Sequence, residues 1–142
     1  MSARAVRAWQ GWAPQLLSIL RIVTGFLYMA HGTQKLFAFP TGMGPDGTST
    51  VDLGTIFGAA GIIETVGGAL LLLGLFARPV AFLVAGEMAV AYFKFHAPGG
   101  FWPIMNHGEI VVAFCFIWLY ISAAGPGPWS VDALKGRKSQ AA

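Results

Sequence analysis

Four apolar stretches of this chain are each long enough to cross a bilayer, and each carries ionisable residues: Arg21, His31 and Lys35 in the first, Glu64 in the second, Glu87 and Lys94 in the third, Glu109 in the fourth. A charge held at membrane depth costs roughly 3 kcal/mol on insertion scales and more in simulations. A sequence with 11% charged and 56% hydrophobic residues keeps such groups where they pair, line a polar cavity or do chemistry. The expectation is an all-α membrane protein with an internal polar site.

Helices of about 20 residues span about 30 Å of hydrocarbon. On that measure the spans are expected at about 16–37, 54–76, 79–97 and 108–124, in one domain covering 1–142 with 125–142 as a tail. Pro40 to Asp52 and Pro98 to Pro103 are Gly- and Pro-rich and read as loops, and Ala77 to Pro79 as a tight turn. Pro79 suits the first turn of a helix. The run after Arg4 and Arg7 continues beyond signal-peptide length with no small-x-small cleavage site, so the first span reads as an uncleaved anchor.

Arg4, Arg7, Arg78, Lys135, Arg137 and Lys138 fall at the end that holds both termini, while the two opposite loops contain no Lys or Arg. The positive-inside rule then places both termini in the cytoplasm. Trp9, Trp12 and Trp129 would mark the inner interface and Trp102 the outer one. The net charge of +3 has the same origin, which argues against nucleic acid as a partner. Membrane lipid is the expected surrounding.

Helical spacing sorts the spans into faces. Arg21, Gly25, Tyr28, Gly32 and Lys35 recur at intervals of four and three, with Thr24 and His31 alongside, so this stripe should face the bundle. Gly54, Gly58, Gly61, Thr65 and Gly68 form a small-residue stripe bordered by Glu64 and Gly67. Glu87 and Lys94 are expected on one face of the third span. Glu109, Ala113, Phe116, Tyr120 and Ala123 are expected to face inward in the fourth, with Cys115 pointing elsewhere.

In depth, His31, Gln34, Lys35, Lys94, His96, His107 and Glu109 belong to the outer third, Glu64 and Glu87 to the middle, and Arg21 to the inner third. Two mid-depth carboxylates close together could not both ionise cheaply, so one would carry a proton. Glu64, Glu87 and His31 are therefore the candidate catalytic groups, and Lys35, Gln34, Tyr28, Arg21, Lys94 and Glu109 the candidate substrate-binding ones. The bland alternative is a structural ion-pair network.

His31 could be an acid or base, a ligand, or a hydrogen-bond donor to a quinone carbonyl. Haem fits poorly, because only His31 lies well inside a span. His31, His107 and Glu109 could meet at the outer mouth around a divalent metal, but their spacing matches no zinc motif, and no metal is assigned. The lone Cys115 excludes an intrachain dithiol.

Arg21 with Gly25, the Gly32-Thr33-Gln34-Lys35-Leu36 ending of the first span, the run Glu64-Thr65-Val66-Gly67-Gly68 to Gly74-Leu75 with Arg78, and Gly125-Pro126-Gly127-Pro128-Trp129-Ser130-Val131-Asp132 together resemble the DoxX family of small four-helix membrane proteins. The resemblance implies a multi-pass protein of a bacterial or archaeal plasma membrane. Some members are linked to quinone-dependent oxidation of sulfur compounds, others to redox-stress complexes or to catechol and quinone detoxification. The matched polar positions are Arg21, Lys35, Glu64 and Asp132.

The expected function is a membrane subunit that binds a quinone or other small redox-active molecule inside the bundle, with no cofactor of its own. With no electron carrier in the chain, an oxidoreductase role would need a separate redox protein. A homo-oligomer fits the same outline. The alternatives are a proton-coupled transporter of a small solute and a purely structural subunit.

Overall fold

Apolar residues at helical spacing, interrupted by Gly/Pro-rich loops, build a chain whose regular structure is all helical among the described residues. The computed structural model describes residues 2–140. α1 runs Ala3–Phe37, α2 Ile56–Leu73, α3 Ala77–Ala91, α4 Glu109–Ala124 and α5 Val131–Gln140. α3 continues through a π-helical turn, Tyr92–His96, and a 3-10 turn, Ala97–Gly99. Val6–Phe37, Ile56–Leu73 and Ala77–Gly99 are long and apolar enough to cross a membrane, and α4 is a shorter apolar helix of 16 residues.

α1 starts well before the expected boundary near residue 16. The apolar run begins there, but Ala, Arg and Gln upstream are good helix formers and carry the helix back to Ala3. The tail is also not simply an extended polar run, because Ser130 accepts from the Ala133 amide at 3.1 Å and caps α5.

Small residues set the α1–α2 contact. A Cβ added to Gly25 would lie 2.9 Å from the Leu72 amide nitrogen, and one on Gly68 would lie 2.7 Å from Met29 Cα. The two backbones approach where neither residue has a side chain, as in small-residue packing of membrane helices. Gly68→Ala is expected to destabilise the protein by about 2 kcal/mol through overpacking, read as a lowered unfolding midpoint in detergent. Gly86→Ala is the control: no atom lies within 4 Å of a Cβ there, so the helix should be unharmed or slightly strengthened.

α2 packs mainly on α1, and α3 on α4. The core between the two pairs holds Tyr28, Leu71, Ala81, Val84, Met88, Phe114, Trp118 and Ile121. α4 therefore presents Val111, Phe114, Trp118 and Ile121 inward. The expected stripe Glu109, Ala113, Phe116, Tyr120 and Ala123 is instead exposed, since the larger apolar set at intervals of four and three buries more area. Lys94 leaves the Glu87 face because the π-helical turn holds more residues per turn than an α-helix and rotates it outward.

One end of the bundle is closed by side chains that cap helices. Gly74 ends α2 in the left-handed region at φ 68, and the Leu75 amide donates back to Leu70 at 2.9 Å. Arg78 donates to the carbonyls of Ser122 at 3.0 Å, Ala123 and Ala124, placing its charge at the α4 C-terminus, where the helix dipole favours it. The Asp132 carboxylate accepts from the amides of Phe76 at 3.0 Å and Ala77 at 2.8 Å, which caps α3 in the same way at its N-terminus. The α2–α3 turn, the α4 C-terminus and the tail are thus tied together at that end.

Candidate functional site

The other half of the bundle is hollow. A cavity of about 600 Å³ lies between the α1–α2 and α3–α4 pairs, a volume typical of small-molecule sites. Its walls are mostly apolar, with Ile56, Phe57, Ala60 and Ile63 from α2, Leu83, Met88, Val90 and Ala91 from α3, and Ile110, Val111 and Phe114 from α4. Tyr28, His31 and Lys35 from α1 face it, with Glu64, Glu87, His96 and His107.

The intervals of seven between Tyr28 and Lys35 put both on one face of α1, where they meet carboxylates from two other helices. Lys35 Nζ lies 2.6 Å from Glu64 Oε2, with the two side chains 14% and 6% exposed. The Tyr28 hydroxyl donates to Glu87 Oε2. Tyr28 is held by edge contacts to Phe114 at 5.8 Å and Trp118 at 5.9 Å between ring centres, so its hydroxyl is aimed by packing. His31 stands edge-on to Phe114 at 6.2 Å. The result is an apolar chamber with two charge-bearing hydrogen-bonded pairs on its floor.

At the mouth, His96 Nδ1 is paired with the Asn106 carbonyl oxygen at 3.0 Å, and the Asn106 side chain donates to the Gly100 carbonyl at 2.8 Å and accepts from the Gly108 amide at 2.9 Å. Asn106 thereby shapes the α3–α4 connection.

Of the residues singled out from sequence, Tyr28, His31, Lys35, Glu64 and Glu87 come together, and four do not. Arg21 is fully buried away from the cavity, donating to the carbonyls of Leu71, Leu72 at 2.7 Å, Pro126 at 2.8 Å and Trp129 at 2.5 Å. It ties α1 to the end of α2 and to the tail, and every one of those acceptors is backbone. Gln34 is half-buried outside the lining. Lys94 is exposed with its ammonium 5.9 Å from the centre of the Phe95 ring. Glu109 is exposed at the first position of α4, where the helix dipole favours a carboxylate. Nor do His31, His107 and Glu109 assemble, for among the described residues no three His, Cys, Asp or Glu side chains are grouped to hold a metal ion.

Sequence reasoning missed Phe114, Ile63 and Asn106. Phe114 could have been found from its place in the Val111, Phe114, Trp118, Ile121 series, which has the same helical spacing as the competing series but only large apolar residues, without the charge and the two alanines.

The family profile of DoxX matches residues 16–97, over half of the chain. The chain belongs to the DoxX family. It is 39% identical over 124 residues to an uncharacterized protein of Haemophilus influenzae, covering 85% of this chain and 91% of that one. It is 26% identical over 141 residues to an uncharacterized membrane protein of Mycobacterium tuberculosis, covering 90% of this chain and 86% of that one. No solved structure matches significantly. The DoxX match takes in Tyr28, Lys35, Glu64 and Glu87, whereas Phe114 and the Asp132 cap lie beyond it.

Proposed function

We propose that this DoxX-family membrane protein binds a quinone-like molecule in the chamber between its helix pairs and serves as the membrane subunit of a redox system. The supporting observation is the pairing of Lys35 with Glu64 and of Tyr28 with Glu87 on the floor of an otherwise apolar, aromatic cavity. A flat ring with two oxygens needs such surroundings: apolar walls against its faces and a few fixed polar groups at its edge. Lys35, with ammonium protons beyond the one given to Glu64, and His31 are donors for the oxygens, and Tyr28, whose single hydroxyl proton goes to Glu87, becomes a donor when Glu87 carries a proton and donates to it.

Reducing a quinone to the quinol consumes two electrons and two protons. The electrons come from a separate redox protein, since this chain offers one cysteine and no grouped metal ligands among the described residues. The protons pass by Glu87 through the Tyr28 hydroxyl and by Glu64 through Lys35. We place the protein in the plasma membrane with both termini cytoplasmic, on the charge bias of its loops.

The test is equilibrium binding of decylubiquinone to the purified protein in lipid nanodiscs. Saturable binding is expected, weakened about tenfold in Lys35→Ala and several-fold in Tyr28→Phe, the scale of one lost hydrogen bond to a charged or neutral donor. No saturable binding, or equal affinity in both variants, overturns the reading.

A further inference from the structure

We infer that the cavity is loaded sideways from the bilayer, through a window between α2 and α3, and that its ligand is an amphiphile with a compact oxygen-bearing head and an apolar tail. This rests on the ligand site proposed above and adds its route and the tail.

The window has a frame. At one end α2 and α3 touch closely, since a Cβ on Gly67 would lie 3.0 Å from Val84 Cγ1. At the other the rings of Phe57 and Phe95 meet at 5.0 Å between centres. Between these two contacts both helices line the cavity, α2 with Ala60, Ile63 and Glu64 and α3 with Glu87, Val90 and Ala91. Leu83 and Val90 line the cavity and are 57% and 54% exposed, as expected of residues on the rim of an opening.

Depth decides what that opening meets. Leu83 and Val90 lie on either side of the middle of the span Ala77–Gly99, so the window faces acyl chains rather than water. Its rim, with Ala60, Ile63, Leu83 and Val90, carries no polar side chain; the polar groups lie on α1 and on the inner faces of α2 and α3, with His96 and His107 by the α3–α4 connection. A hydrophilic solute would meet no partner at such a rim. A tailed molecule already dissolved in the bilayer would pass its head to Lys35 and Tyr28 and leave its tail among lipid.

The experiment compares decylubiquinone with its tailless ring, ubiquinone-0, on the full chain in nanodiscs. Val90→Trp, at the rim, is expected to slow decylubiquinone association about tenfold and that of ubiquinone-0, which has no tail to thread through the opening, several-fold less. Phe82→Trp, on the lipid-facing side of α3 outside the lining, should alter neither. A decylubiquinone analogue with a photoreactive group at the tail end should label α2 and α3 of the wild type, a readout that needs no variant to fold. Unchanged association in Val90→Trp, or labelling confined to α1 and α4, overturns the window while leaving the head site standing. Failure of both quinones to bind the wild type removes the head site and the window together.

Discussion

Replacing Arg21 with alanine should cost about 4 kcal/mol of stability, the largest effect expected of any single change in this protein. Its guanidinium is fully buried and donates to four backbone carbonyls from α2 and the tail. Hydrogen bonds from a charged donor are each worth about 1.5–3 kcal/mol, and their loss strands buried acceptors. Arg21→Lys keeps the charge but not the planar fork, so it should recover less than half of the loss. Unfolding followed by circular dichroism in detergent checks both, with proteolysis of the tail as a local readout. An Arg21→Ala protein within about 1 kcal/mol of wild type would show that the clamp holds little.

The second large effect concerns the Lys35–Glu64 pair. Lys35→Ala leaves a buried carboxylate without its cation and should cost about 3 kcal/mol, while Lys35→Met with Glu64→Leu removes both charges and should cost far less. Stability alone does not separate a scaffold from a site. If the pair is only a scaffold, the double variant keeps quinone affinity. If it belongs to the site, that variant is stable but loses at least tenfold in binding. Measuring unfolding and binding on the same preparations distinguishes the two.

Much of this architecture could be read from residue order. Arg21, Gly25, Tyr28 and Gly32 are buried on one face of α1 as their spacing required, and Gly68 of α2 is where its backbone meets that of α1. The convergence of Tyr28, Lys35, Glu64 and Glu87 followed from depth and face together. Three things were not legible. The π-helical turn that moves Lys94 outward is a local change of pitch, and a fixed period per residue cannot register it. Glu109 points to the wrong inward face of α4, because a carboxylate at a helix start is favoured there without a partner helix. Arg21 reads as a binding group when side chains are set only against side chains. Its acceptors are backbone carbonyls, which no sequence advertises.

The clamp at Arg21, together with the Tyr28, Leu71, Val84 and Trp118 packing below the chamber, makes the molecule a cul-de-sac. In this structure the space beyond Lys35 is closed by buried guanidinium contacts and a filled core. On the proposed reading, a visitor backs out by the door it used.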